Sequence, residues 1–275
     1  VAKDAEVTLE ANPDSVEEKM LKRLRRAGFT RLSLGMQSAD DAQLRALHRP
    51  HTFRQVETAV AAARATGFEN LSLDLIYGLP GQTMEGWKAS LEAAVRLGPE
   101  HLSCYGLKVE TGTPLWRRRE TEHFPDDDAQ ADMYLETVRI LAEAGYRQYE
   151  ISNFARPGFE SRHNLKYWTL QPYMGFGPGA HADFGGRRYS HIRDLEGYIK
   201  GVLEGGALID EDEVVTRRER GREYVMLGLR TAEGIDKKFF GRIYRMDFAP
   251  LAALLENNAA HGWAVHEGDR WRLTP

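Results

Sequence analysis

The chain has 275 residues, of which 42% are hydrophobic and 28% charged, enough for one large domain or a medium domain with a small companion. A formal charge of −4 and a pI near 6.2 give no electrostatic reason to expect a nucleic-acid partner. No apolar run approaches the roughly 20 residues of a membrane span and the N-terminus does not read as a signal peptide, so a soluble cytoplasmic protein is expected.

In chain order, Glu6 to Ala11 reads as a strand, broken by Asn12-Pro13, with Asp14 or Ser15 placed to cap the next helix. Val16 to Ala27 is that amphipathic helix, closed by Gly28. RLSLGMQ, residues 31 to 37, is a second strand, followed by helices over Ala39 to Leu47 and Thr52 to Thr66. The third strand spans Asn70 to Gly78 and turns through Leu79-Pro80-Gly81 into a helix, Met84 to Leu97. A fourth strand is expected over His101 to Glu110, a helix over Asp126 to Ala144 and a fifth strand over Tyr149 to Ala155. Strands alternating with helices in this way signal parallel βα units.

Residues 156–190 lose that periodicity and are rich in Gly, Pro, Arg, His and aromatics, the pattern of an irregular functional segment. From residue 191 the reading is helical, with helices over Asp194 to Leu203, Arg217 to Leu229, Lys237 to Tyr244 and Pro250 to His261. A final hairpin turns at Glu267-Gly268-Asp269, and together these suggest a small winged-helix-like domain. The division expected is therefore 1–155, 156–190 and 191–275. The basic runs Lys22 to Arg26 and Arg217 to Arg222 fall on helices and read as solvated faces.

Isolated polar residues stand at or near the C-terminal ends of the strands: Glu10, Gln37, Asp74 and Lys108. Ligands bind at those ends in parallel barrels and open α/β sheets. Carboxylates and an amide there can hold ribose hydroxyls or an amino group. Arg49, in ALHRPH, can fork onto an α-carboxylate. The set suits an amino acid joined to a nucleoside. Cys104 is the sole cysteine, so neither a disulfide nor a multi-cysteine metal site can be built from this chain alone; it reads as a core or barrel-lining thiol.

EVTLEANPDS, RLSLGMQS, LDLIYGLPGQ, QYEISNFARPG, RHNLKYW and MGFGPGAHA, in this order, resemble the oxygen-independent coproporphyrinogen III oxidase-like group of radical S-adenosylmethionine (SAM) proteins. The resemblance runs from about residue 5 to the C-terminus and is nearest to that group's haem chaperone branch. It implies a partial (βα)6 barrel with a helical, winged-helix-like C-terminal domain. Family members begin with a CxxxCxxC loop that holds a [4Fe–4S] cluster and a glycine-rich turn that touches SAM. Neither block is present, so the chain is expected to lack its first two βα units, to be unable to ligate the cluster, and to expose an edge strand prone to self-association.

Carried over residue by residue, Glu10, Gln37, Arg49 and Asp74 match SAM-contacting positions, and Lys108 falls near a further one. HNxxYW implies haem, with His163 as iron ligand and Tyr167 and Trp168 as stacking partners; Arg156 or Arg162 can pair with propionates, and His181 is a second candidate ligand. The function implied is a haem-binding chaperone that delivers haem to a membrane respiratory acceptor protein. The alternatives are radical decarboxylation of coproporphyrinogen III, which needs the absent cysteines, or an inactive truncated barrel.

Overall fold

The computed structural model describes residues 2–275 and divides into two compact units, one running to Ser161 and the other Arg162–Thr274. The boundary falls six residues beyond the expected Ala155. In the first unit the strands are β1 (Thr8–Ala11), β2 (Arg31–Gln37), β3 (Asn70–Tyr77), β4 (His101–Gly106), β5 (Arg147–Glu150) and β6 (Asn153–Ala155). The helices are α1 (Glu18–Arg26), α2 (Asp41–Ala46), α3 (Phe53–Ala65), α4 (Met84–Arg96), α5 (Pro114–Arg118) and α6 (Asp127–Glu143). β1 to β4 are parallel neighbours, with β1 at the edge, and the sheet order is β1-β2-β3-β4-β6-β5.

The structure corrects two expectations. The fifth strand is a tight antiparallel hairpin, β5 and β6, with β6 also antiparallel to β4. The fourth strand stops at Gly106, so Lys108 lies beyond it, exposed and 2.8 Å from Glu110.

Side chains along a strand alternate between faces, and residues paired across a parallel ladder share a face. One face carries Leu32, Leu34 and Met36, then Leu71, Leu73 and Leu75, then Leu102 and Cys104, all buried in one hydrophobic cluster with residues of α3, α4 and α6. Each such leucine contributes roughly 1.5–3 kcal/mol by leaving water. Helix caps hold the covering layer: the side chains of Thr83 and Asp126 accept from the N–H groups of Gly86 and Ala129, each worth about 1 kcal/mol. The other face is polar. It presents Glu10, Arg31, Ser33, Gln37, Ser72, Asp74, His101 and Ser103, most of them buried.

The second unit is more regular than the sequence suggests. The stretch 156–190, read as irregular, contains α7 (Arg162–Trp168), β7 (His181–Phe184) and most of β8 (Arg187–His191). β9 (Ile209–Val214) follows α8 (Leu195–Glu204) and completes a β7-β8-β9 sheet, with β9 exposed along its whole length. The last region is α9 (Arg217–Gly228), β10 (Ile235–Asp236), α10 (Lys237–Tyr244), α11 (Ala249–Ala260), β11 (Ala264–Glu267) and β12 (Arg270–Leu273). Its helices agree closely with those expected. They share with the β10-β12-β11 sheet a small core of Ile235, Phe240, Phe248, Leu255 and Trp271. A capping box starts α9: Thr216 Oγ1 accepts from Glu219 N while Thr216 N donates to the Glu219 carboxylate at 2.7 Å.

Candidate functional site

In the first unit, Glu10 on β1, Gln37 at the end of β2 and Asp74 on β3 line one cavity of about 530 Å³, together with Ser33, Gly35 and Asn12. Three of the four expected contact residues are thus brought together. Arg49 does not line that cavity. It follows α2, half-buried, with its backbone N–H donating to Leu44 O at 2.9 Å.

Gln37 reaches the cavity by an uncommon backbone. The β2–β3 register slips between Leu34 and Gln37, and Gln37 has φ +63°, a left-handed conformation that is costly for a residue with a Cβ. Gly35 makes room for it, because a Cβ there would sit 2.7 Å from Gln37 Nε2. The strained residue therefore faces the cavity with its amide, the kind of site at which such strain collects.

Asp74 receives the Ser33 hydroxyl at 3.2 Å from each carboxylate oxygen. Burial pushes its carboxyl above the usual range; hydrogen bonds from Ser103 and Ser33 and the charge of Arg31 pull it back, and Glu10 adds to the rise. Deeper on the same face, the His101 ring lies between two hydroxyls, with Nδ1 2.8 Å from Ser72 Oγ and Nε2 2.8 Å from Tyr149 Oη. Burial, reinforced by Arg31, holds this imidazole well below its ordinary pKa and hence neutral. Arg31 is itself 5% exposed, and its Nε lies buried with no hydrogen-bond partner.

Arg31, Ser33, His101, Ser103 and Tyr149 were not among the expected site residues. A signal existed in the alternation of RLSLG, NLSLDL and HLSCYG, since a strand buried on two apolar faces has no reason to alternate. Cys104 points to the opposite, apolar face, where burial raises its thiol pKa strongly. One inert thiol cannot supply the three thiolates of an iron–sulfur cluster, so the residues of this chain do not fit that group.

In the second unit, His163 and Tyr167 sit one turn apart on α7, with Tyr167 Oη 2.9 Å from His163 Nε2. Their rings meet edge to face at 5.0 Å, and Tyr167 meets Tyr173 in the same way at 4.6 Å. For Trp168, next in sequence, the Arg230 guanidinium lies 5.6 Å from its ring centre, and the residue lines a cavity of about 890 Å³ that His163 does not line. Trp168 also lines a smaller cavity of about 200 Å³ together with Tyr167 and Tyr173, so the two aromatics of the motif share one cavity while only the tryptophan reaches the larger one. Of the other candidates, the Arg156 guanidinium lies over Tyr146 in the first unit at 5.4 Å, and His181 is exposed at the start of β7.

The sequence profile of the Radical SAM superfamily matches residues 1–94, and that of the HemN C-terminal domain matches residues 215–275. "Heme chaperone HemW" of Bacillus subtilis (strain 168) is 38% identical over 267 residues, covering 96% of this chain and 70% of the relative. The protein of that name from Mycobacterium tuberculosis (strain ATCC 25618 / H37Rv) is 38% identical, covering 100% of this chain and 69% of its own length. A Bos taurus relative, "Radical S-adenosyl methionine domain-containing protein 1, mitochondrial", is 39% identical over 84% of this chain and 55% of its own. Among solved structures, coproporphyrinogen III oxidase (HemN) from Escherichia coli superposes with a TM-score of 0.83 at 24% identity, over 99% of this chain and 67% of that one, a likeness of fold. On these identities and this coverage, the chain belongs to the HemW family of the radical SAM superfamily.

Proposed function

We propose that this chain is the haem-holding part of a haem chaperone, which binds haem through α7 and passes it to an acceptor protein. The observation that carries this reading is the His163–Tyr167 pair on an exposed helix, in a chain several of whose curated relatives are named heme chaperones. Neutral imidazole is a good axial ligand for haem iron, and such an imidazole is oriented by the hydrogen bond that its other ring N–H donates to a neighbouring acceptor. The Tyr167 hydroxyl is placed for that role. Among the described residues no helix is long and apolar enough to cross a membrane.

The test is a hemin titration followed at the Soret band. Wild-type chain should saturate, and His163→Ala should weaken binding at least tenfold, about 1.4 kcal/mol. Equal affinity in the two would remove His163 as the iron ligand.

Glu10, Gln37 and Asp74 fit one face of SAM, since two carboxylates and an amide converge on a single cavity. When bound, SAM is a source of a 5′-deoxyadenosyl radical only beside a reducing cluster. What these residues do is accept and orient the ligand's hydroxyl and amino groups, with Arg49 assigned to its carboxylate on resemblance alone. Gly35→Ala should then act through its neighbour. It should weaken S-adenosylhomocysteine binding about fivefold, as Gln37→Ala should, by losing a hydrogen bond worth about 1 kcal/mol. Calorimetric titration checks this, and the double substitution should be no worse than either alone.

A further inference from the structure

One cavity of the second unit is assigned no role by the His163 reading. It lies between the end of α7, α9, α10 and β12, and at about 890 Å³ it falls within the roughly 300–1,000 Å³ of small-molecule sites. Its walls are aromatic: Trp168 from α7, Tyr224 from α9, and Phe239 and Tyr244 from α10. Tyr224 lies 5.3 Å from Phe239 and 5.4 Å from Tyr244, ring centre to ring centre. The Tyr224 hydroxyl is engaged by the backbone N–H of Asp236 at 2.8 Å, which fixes the ring.

The lining also carries Lys238, Arg242 and Arg270 against Glu233 and Asp236. Neither acid pairs with Arg242. The Asp236 carboxylate caps α10 by accepting from Phe239 N at 2.7 Å, and Glu233 lies 3.6 Å from Arg270. Lys238 pairs with Asp269 at 2.5 Å. Arg242 is exposed and has no ion-pair partner among the described residues, so it stands at an aromatic cavity as an unmatched cation. Gly228 and Gly234 also line the cavity and bring backbone close to it.

We infer that this cavity is a seat for a planar aromatic polycarboxylate of porphyrin size, its ring against Trp168 and Tyr224 and a carboxylate on Arg242. Stacking suits the ring and a guanidinium suits the carboxylate, singly or as a fork. The assignment of a porphyrin rests on the haem-chaperone reading; the preference for an aromatic anion rests on the cavity itself. Because no histidine lines it, the seat recognises the macrocycle and its carboxylates and does not require iron.

Metal-free protoporphyrin IX, titrated into the full chain and followed by porphyrin fluorescence, tests this directly. Saturable binding is expected, weakened at least tenfold by Arg242→Glu and by Trp168→Ala and unchanged by His163→Ala. A porphyrin carrying cationic groups in place of carboxylates should fail to compete. Arg242 is exposed, so circular dichroism of its variant should match wild type even where Trp168→Ala is less stable. Absence of metal-free binding, or full affinity in Arg242→Glu, overturns the seat and leaves hemin binding through His163 standing. Metal-free binding alongside hemin affinity indifferent to His163→Ala does the reverse.

Discussion

Replacing Trp87 with alanine should remove about 3–5 kcal/mol from the stability of the first unit, the range for large aromatics deleted from a packed core. Trp87 is 0% exposed, sits on α4 within the main hydrophobic cluster and packs against Tyr77 at 5.6 Å. Its indole N–H also donates to Thr137 Oγ1 at 2.8 Å and Met133 O at 3.2 Å, tying α4 to α6. Trp87→Phe separates the two contributions. It keeps most of the apolar contact and loses the hydrogen bonds, so it should cost about 1–2 kcal/mol. Urea unfolding followed by circular dichroism is the measurement, read on the transition of the first unit because a two-unit chain need not unfold in one step. A loss below about 1 kcal/mol for the alanine variant, less than a typical core truncation costs, would mean that α4 and α6 are held together by something other than this side chain.

The second large effect is on pH. His101 is neutral in the folded chain because burial, with Arg31 next, depresses its pKa, while in the unfolded chain it titrates near its ordinary value of 6.5. Below that value the unfolded state binds a proton that the folded state refuses, so stability falls as the solution is acidified. The slope approaches about 1.4 kcal/mol per pH unit once the unfolded histidine is protonated. Asp74 acts in the opposite sense: its pKa is raised on folding, so its contribution is fully present below its unfolded value and is lost as pH rises through the folded one. Urea midpoints between about pH 7 and pH 5.5, a window that brackets the unfolded histidine, should therefore fall for wild type and fall less steeply for His101→Gln. Parallel curves would show that His101 accepts a proton in place, contrary to its position between Ser72 and Tyr149.

Helices such as α1 and α4 were legible in the sequence because each presents an apolar stripe that stops at a glycine, Gly28 and Gly98. The strand face carrying Glu10, Gln37 and Asp74 was legible for a related reason: a carboxylate or amide within an apolar strand stands out. What escaped notice has physical causes. Tyr149 to Ala155 contains no Gly, Pro or Asn-Gly to announce the turn at Ile151-Ser152, so a hairpin looked like one strand. α7 has seven residues, too few for a helical period to register against the glycine-rich surroundings. β9 reads IDEDEV, and a strand with no apolar alternation resembles a loop. Trp168 stood out as an aromatic in HNLKYW, but the cavity it lines is completed by Tyr224, Phe239 and Arg242 from distant segments, and no spacing within HNLKYW points to them.

That same β9 governs how the molecule behaves among its own copies. It forms one edge of its sheet, and Asp210, Glu211, Asp212 and Glu213 run consecutively along it. Of these four, Asp212 lies 2.5 Å from Arg187 and Glu213 lies 3.6 Å from Arg188 on the neighbouring strand, and Arg188 is shared with Asp183 and Glu223. A second copy offering the same strand would bring carboxylate against carboxylate at the roughly 5 Å spacing of a ladder, where like charges repel. The strand is thus a fence: near neutral pH its backbone remains open to hydrogen bonding, while its charge turns away the partner most abundant in any concentrated solution of the protein.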